Sequence, residues 1–183
     1  MIKKIVIIGP ESTGKSTLSG QLATHYKTLW CPEYAREYLL EHGMNYTYDD
    51  LLTIAKGQVA LEEKMTQFAI ANSQSAKAHF PLFIDTDMYV MKVWCEFVFG
   101  KCHAFILEQI AARKYDHYLL CNIDLPWVKD ELREYPDLER RQQLYSIYKN
   151  IMSGQPVSWT DISGNSDERL AKAIQAVDQL LKK

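Results

Sequence analysis

The sequence predicts an α/β fold, in which helices cover both faces of a parallel sheet, and places residues 1–183 in one domain. Short apolar runs alternate with longer amphipathic segments, which is the pattern of strands joined by crossover helices. The length of 183 residues lies within the roughly 50–250 residues of a single domain. No internal repeat and no linker rich in Pro, Gly and Ser divides the chain.

The predicted strands are continuous apolar runs, which indicates burial on both faces of the sheet. They are Ile2–Ile8, Thr28–Cys31, Leu82–Ile84, His117–Cys121 and Val157–Ile162. The predicted helices are Lys15–Tyr26, a segment that starts between Pro32 and Ala35 and ends at Glu41, a long helix after Asp49-Asp50, and Ser166 to the C-terminus. Asp49 and Asp50 are N-cap candidates for the long helix, whose apolar face has a 3-4 spacing. That face is Leu51, Ile54, Gln58, Leu61, Met65, Phe68 and Asn72.

Charge and hydropathy argue against nucleic-acid and membrane partners. With 21 basic and 23 acidic residues the net charge is −2, whereas a dedicated nucleic-acid binder should be strongly basic. No stretch approaches the roughly 20 apolar residues of a membrane span. The apolar run Ile5–Ile8 is shorter than the roughly 7–15 residues of a signal-peptide core, and it ends in Gly9-Pro10. We therefore expect a cytoplasmic protein.

The strongest motif is GPESTGKS at residues 9–16, which matches G-x-x-x-x-G-K-[ST] in full, between a predicted strand and a predicted helix. Two glycines allow the backbone to curl into a nest of inward-pointing amides, and the following helix adds its positive end. Lys15 is predicted to contact the β- and γ-phosphates of ATP or GTP, and Ser16 to bind Mg²⁺. The predicted nucleotide-binding residues are Gly9, Glu11, Ser12, Thr13, Gly14, Lys15, Ser16 and Thr17.

Two acids follow the third predicted strand, at the sheet edge where open α/β sheets bind ligands. Asp85 is placed to reach Mg²⁺, directly or through water, beside the phosphate loop. If the chain stays extended, Asp87 points the same way, and one of the two could accept the proton of a substrate hydroxyl. The alternative is that one of them only caps the next helix.

Glu33 and Arg36 follow the second predicted strand, one helical turn apart, and could share a face. A carboxylate and a planar guanidinium suit a ribose hydroxyl and a phosphate, and the alternative is a surface ion pair. The long helical excursion over residues 33–80 is typical of enzymes that enclose a small acceptor.

The segment after the fourth predicted strand contains a Pro-Trp turn and then a predicted short charged helix with Arg133. A mobile arginine-bearing lid suits phosphoryl transfer, because charge builds on the transferring group and water must be excluded. The alternative is a solvated charged helix.

Several motifs together resemble the ribosylnicotinamide kinase domain of NadR-type proteins, which are placed among the P-loop ATPases. They are GPESTGKST, PEYAREY, Gly57-Gln58, FIDTD and NIDLPWVKDELR, in that order along nearly the whole chain. The resemblance implies the three-layer P-loop NTPase fold, with a five-stranded parallel sheet in the order 2-3-1-4-5 and a helical lid. NadR-type proteins usually carry an adenylyltransferase domain ahead of the kinase; this chain starts at the kinase strand, so that activity is not expected of it.

The resemblance also implies transfer of the γ-phosphate of Mg-ATP to the ribose 5′-hydroxyl of nicotinamide riboside or a similar riboside. The implied catalytic residues are Lys15, Asp85, Asp87 and Arg133. The implied substrate-binding residues are Glu33, Tyr34, Arg36, Asp87 and Trp127. The implied metal ligands are Ser16 and Asp85. The family grips the nicotinamide ring between aromatic side chains, for which Tyr34, Trp30 and Phe68 are the candidates here. Another nucleoside or nucleotide kinase, or a regulatory ATP-binding switch, are the alternatives.

Overall fold

The computed structural model describes residues 2–73 and 80–182, and within these ranges it contains five strands and seven helices. The strands are β1 (Ile2–Ile8), β2 (Trp30–Cys31), β3 (Phe80–Asp85), β4 (His117–Cys121) and β5 (Trp159–Ile162). The helices are α1 (Lys15–Tyr26), α2 (Tyr34–His42), α3 (Tyr48–Ser73), α4 (Met88–Phe99), α5 (Ala104–Ala112), α6 (Leu138–Gly154) and α7 (Ser166–Leu181). The predicted bounds of β1, β4 and α1 are confirmed, whereas β2 and β5 are shorter than predicted and β3 is longer.

The strands form one parallel sheet in the order β2-β3-β1-β4-β5, which confirms the predicted topology. Because all pairs are parallel, the carboxyl ends of the strands meet at one edge of the sheet. The Thr86 amide, just after β3, donates to the Ile7 carbonyl near the end of β1, 3.2 Å away. The residues that follow β1 and β3 are therefore held next to each other.

Helices cover both faces, as expected for a three-layer fold. Successive residues of β1 point to opposite faces, so Ile5 and Ile7 pack with α1 and α7. Val6 and Ile8 pack on the other face with α3, α4 and α6. A third apolar cluster joins α2 and α5 to the outer sides of α3 and α4. Among the residues described, no helix has the length and apolar character needed to cross a membrane.

The N-terminus of α3 differs from the prediction, whereas the predicted start of α7 at Ser166 is confirmed. Thr47 precedes α3 and its hydroxyl accepts from the Asp50 amide, while the Asp50 carboxylate accepts from the Thr47 amide at 2.7 Å. Asp49 and Asp50 are therefore first-turn residues rather than N-caps. Asn165 caps α7, and Glu168 completes a capping box with it. The helix ends at Leu181 with Lys182 as its C-cap, short of the predicted end, and Lys183 lies outside the described residues.

The segment between β4 and α6, residues 122–137, is called the lid segment below. The prediction of a short helix around Arg133 is wrong: the segment is irregular apart from a turn at residues 131–132. Prolines at 126 and 136 break helical hydrogen bonding, and several lid amides donate to side chains of the phosphate loop instead of to helix carbonyls.

Candidate active site

The phosphate loop, residues 9–16, connects β1 to α1 in a conformation fixed from several sides. Gly9 has a φ of +141°, and a Cβ there would lie 2.6 Å from the Cys121 carbonyl oxygen of β4, so no side chain fits. The Thr13 hydroxyl donates to the Pro10 carbonyl at 2.7 Å. From behind the loop, the buried Arg169 of α7 donates to the Thr13 carbonyl at 2.9 Å. The backbone of the loop is thus fixed by contacts within the protein.

A single cavity lies over this loop and brings the predicted nucleotide-binding residues together. Its wall includes Gly9, Glu11, Ser12, Thr13, Gly14, Lys15, Ser16 and Thr17. The Lys15 ammonium folds across the loop and donates to the Pro10 carbonyl at 3.0 Å. The loop therefore combines a point charge, a helix N-terminus and backbone amides on one side of the cavity, which is a surface suited to phosphate.

Asp85 ends β3 behind the cavity, with its side chain fully buried. Neither carboxylate oxygen has a hydrogen-bond partner among the described residues. Burial, with a contribution from the charge of Glu33, raises the pKa of Asp85 to about 7, while Lys15 and Ser16 act in the opposite direction. A buried carboxylate with unused oxygens next to a loop hydroxyl fits Mg²⁺, which prefers oxygen ligands.

The described residues contain no group of three or more His, Cys, Asp and Glu side chains able to hold a metal ion by themselves. A magnesium ion at Ser16 and Asp85 would therefore take its other ligands from phosphate oxygens and water, as magnesium commonly does.

Asp87 does not point the same way as Asp85. Thr86 lies between them with a φ of +74°, so the chain is not extended there. The two side chains would point the same way only in an extended chain. The Asp87 carboxylate caps α4 by accepting from the Tyr89 and Val90 amides, and it also accepts from the Tyr118 hydroxyl at 2.9 Å. Burial raises the pKa of Asp87 to about 7. The helix-capping alternative therefore describes Asp87, which does not line the cavity.

Replacing Asp87 by alanine is expected to lower the free energy of unfolding by about 2 kcal/mol, because an N-cap is lost and the Tyr118 hydroxyl is left buried without its acceptor. Urea denaturation measures the loss, with Asp49→Ala as the control at an exposed acid of α3. Equal stability of the two variants would contradict the structural role of Asp87.

Glu33 and Arg36 both line the cavity but do not pair with each other. Glu33 immediately precedes α2 and accepts from the Thr86 hydroxyl at 3.4 Å. Arg36 is exposed, and its guanidinium pairs with Asp130 of the lid segment at 3.2 Å. The surface ion pair of Glu33 with Arg36 that was the alternative is therefore not formed, and Arg36 pairs with the lid segment instead.

Tyr34 lies outside the cavity, packed against α3. A Cβ at Gly57 would lie 2.1 Å from Cε1 of the Tyr34 ring, so only glycine allows this contact. The neighbouring Gln58 side chain accepts from the Tyr34 amide at 2.7 Å and donates to the Pro32 and Asp85 carbonyls. The Gly57-Gln58 pair of the sequence motif thus fixes the start of α2 relative to the end of β3.

The lid segment lies over the phosphate loop. The Trp127 indole donates to Glu11 at 3.3 Å, and Trp127 is not among the residues that line the cavity. Arg133 does line the cavity, with its guanidinium donating to the Val128 carbonyl of the same segment. At its base, the buried Arg141 of α6 donates to the Ile123 and Leu125 carbonyls.

The far wall of the cavity is apolar and aromatic, and sequence reasoning missed it. It consists of Leu39, Met44, Val90, Val93, Trp94, Phe97, Val98, Leu132, Tyr135, Leu144 and Tyr148. None of the aromatic candidates Trp30, Tyr34 and Phe68 belongs to this wall. The Phe68 side chain is half exposed, and the buried residue at this point of α3 is its neighbour Ala69. The signal available was the strongly apolar α4, which directly follows the acids at the strand end and repeats apolar residues three or four apart.

Solved structures of other proteins share this fold. A NadR protein in complex with NR superposes with a TM-score of 0.77 at 22% identity, covering 99% of this chain and 52% of that chain. A thymidylate kinase from Ehrlichia chaffeensis superposes with a TM-score of 0.69 at 13% identity, covering 96% of this chain and 98% of that chain. The molecule therefore has the fold of P-loop kinases.

Curated relatives support the resemblance seen in the sequence. The trifunctional NAD biosynthesis/regulator proteins NadR of Salmonella typhimurium and Escherichia coli are each 25% identical over 185 residues, 98% of this chain and 43% of each relative. The chain thus spans less than half the length of these relatives. Their similarity over 98% of this chain confirms the predicted resemblance to NadR-type proteins. A family model described as an AAA domain matches residues 4–169. The chain therefore belongs to this AAA domain family, AAA_28.

Proposed function

We propose that the protein transfers the γ-phosphate of ATP to the 5′-hydroxyl of a riboside with a flat aromatic base, with nicotinamide riboside as the first candidate. One observation carries the proposal: one cavity is lined by the phosphate loop, by Glu33 and Arg36, and by a set of apolar and aromatic side chains. A protein that only binds nucleotide does not need a second, apolar compartment beside the terminal phosphate.

The phosphate loop supplies the nucleotide half of the reaction. Its amides and Lys15 bind the triphosphate and neutralise the charge that develops on the transferred group. Ser16 and Asp85 would hold Mg²⁺, which adds charge neutralisation and orients the phosphate oxygens when bound. Arg133, on the cavity wall next to the loop, is placed to turn from the Val128 carbonyl to the phosphate.

Glu33 is the acid that we assign to the acceptor hydroxyl. Asp87 uses its oxygens in capping α4, and neither Asp85 nor Asp87 lines the cavity, whereas Glu33 does. The hydroxyl oxygen attacks the γ-phosphorus while the bond to the leaving ADP oxygen breaks, and the hydroxyl proton passes to the Glu33 carboxylate. Arg36 is placed to hold a second polar group of the acceptor.

The aromatic wall is suited to a planar base. Trp94, Phe97 and Tyr135 all line it, and the Phe97 and Tyr135 rings meet edge to face at 5.4 Å. Such rings bind a flat heterocycle by stacking and by burial of apolar area. Nicotinamide riboside is suggested by the NAD biosynthesis proteins named above and, separately, by the NadR protein whose structure was solved with NR.

Changing Glu33 to glutamine is expected to lower kcat about 100-fold, because the amide cannot take the hydroxyl proton. The affinity for ATP should stay within about threefold, since the phosphate loop is untouched. Steady-state kinetics with saturating acceptor and a nucleotide titration give the two quantities. Glu37→Gln, at an exposed acid one turn further along α2, is the matched control. A large loss of ATP affinity with unchanged kcat would contradict the assignment.

A panel of ribosides and nucleotides incubated with Mg-ATP, with products identified by mass, tests the function directly. The expected product is nicotinamide mononucleotide or the 5′-phosphate of a similar riboside. Phosphorylation of a nucleoside monophosphate instead would identify a nucleotide kinase, an alternative favoured by the likeness to thymidylate kinase. ATP turnover that ignores every small acceptor would instead indicate a regulatory switch.

A further inference from the structure

Glu11 carries a negative charge inside a loop suited to phosphate, and its carboxylate faces the lid segment. Oε1 accepts from the Trp127 indole at 3.3 Å and from the Tyr135 amide at 2.5 Å, and Oε2 accepts from the Glu134 amide at 2.9 Å. The next loop residue, Ser12, accepts from the Val128 amide at 3.1 Å. Two consecutive amides and an indole N–H therefore form a carboxylate-binding site on the lid segment, and a residue of the phosphate loop fills it.

The same part of the lid segment is tied to the acceptor side of the cavity. The Trp94 indole donates to the Tyr46 hydroxyl at 2.9 Å, and that hydroxyl donates to the Glu134 carboxylate at 2.8 Å. Burial raises the pKa of Glu134, the Tyr46 hydrogen bond acts in the opposite direction, and the charge of Glu11 adds to the rise. The backbone at Glu134 thus connects the aromatic wall to the phosphate loop.

The residues on either side of this connection face the cavity. Arg133 directly precedes Glu134, Tyr135 directly follows it, and both line the cavity. Holding two adjacent amides against Glu11 fixes the backbone from which both side chains extend. With both substrates bound, the Arg133 guanidinium would turn from the Val128 carbonyl to the phosphates, and the Tyr135 ring would face the acceptor.

We propose that Glu11 is a positioning residue whose carboxylate fastens the lid segment to the phosphate loop and so places Arg133 and Tyr135 for transfer. The placing of Arg133 and Tyr135 for transfer rests on the proposed kinase function. The fastening of the lid segment to the phosphate loop does not depend on any acceptor. Misplacement of catalytic groups by about 1 Å is enough to reduce a rate about 100-fold. A lid that is not fastened also admits water to the terminal phosphate.

Hydrogen exchange of the Glu134 and Tyr135 amides, followed by NMR without any acceptor, tests the fastening itself. Glu11→Gln is expected to speed exchange of both amides about tenfold, because a charged acceptor is lost. Glu131→Gln, at an exposed acid in the turn of the same segment, should leave both rates unchanged. Unchanged exchange in Glu11→Gln would overturn the proposal.

Kinetics then test the positioning. Glu11→Gln is expected to lower kcat about 10- to 100-fold with ATP affinity changed less than about threefold, and to raise the ratio of ATP hydrolysis to acceptor phosphorylation. Trp127→Phe removes one donor to the same carboxylate and should change that ratio in the same direction by less. If Glu11→Gln keeps the kcat of the unmodified protein, the inference is overturned. If the unmodified protein phosphorylates no acceptor, the proposed function is overturned, while the hydrogen-exchange result still stands.

Discussion

Replacing Lys15 by alanine is expected to lower the rate of phosphoryl transfer about 1,000-fold, by analogy with the loss of an electrostatic catalyst. The ammonium is the one side-chain cation of the phosphate loop, and it already lies across that loop, 3.0 Å from the Pro10 carbonyl. Its loss removes charge that neutralises the transferring group, and no neighbouring loop side chain can replace it. Single-turnover phosphorylation at saturating ATP measures the effect.

Lys64→Ala is the control for Lys15→Ala, because Lys64 is an exposed lysine of α3. A Lys15→Ala protein that transfers phosphate at the wild-type rate would mean that the loop does not hold the triphosphate. Circular dichroism of both variants should match the wild type, since Lys15 lies on the cavity wall and its hydrogen bond is to the Pro10 carbonyl.

The second large effect is expected from Asp85→Asn, which should inactivate the enzyme and at the same time stabilise it. Activity should fall about 1,000-fold, because the amide is a poor magnesium ligand and the charge near the phosphates is lost. The nucleotide-free protein at pH 8 should gain about 1–2 kcal/mol of unfolding free energy. The gain arises because the native carboxylate is buried and both of its oxygens lack hydrogen-bond partners among the described residues.

The pH dependence of this gain follows from the raised pKa. Burial raises the pKa of Asp85 to about 7, whereas the unfolded carboxyl titrates near its ordinary value. Below the unfolded pKa both states are neutral, and the carboxyl costs little. As the pH rises from there to about 7, the unfolded state releases its proton while the folded state keeps it, so the folded state loses stability; above about 7 the folded state holds a buried charge and the loss is complete. Asp85→Asn should therefore stabilise most at pH 8 and clearly less at pH 5, by urea unfolding in EDTA. A gain at pH 5 equal to that at pH 8 would contradict this explanation.

The parts of the fold that local pattern determines were predictable from the sequence. The run Ile2–Ile8, the loop motif and the helix Lys15–Tyr26 form one strand-loop-helix unit whose bounds the structure confirms. The order of the strands came from the resemblance to P-loop proteins. The phosphate-binding side of the cavity was equally accessible, because its residues are consecutive in the chain.

The other side of the cavity depends on contacts that no local pattern contains. Trp94, Phe97 and Tyr135 come from α4 and the lid segment, which meet only in the folded chain. The stretch around Arg133 was predicted as a short helix because its charged composition is typical of one. It is irregular because amides of the lid segment donate to side chains of the phosphate loop, more than 100 residues away. The left-handed conformation of Thr86 likewise separated two acids that an extended strand would have aligned.

The bond from Arg169 to the Thr13 carbonyl joins residues 156 positions apart and has a consequence for synthesis of the protein. While the chain grows on a ribosome, the phosphate loop emerges well before the arginine that braces it. The Thr13 carbonyl therefore lacks this contact in a nascent chain until α7 has emerged and docked.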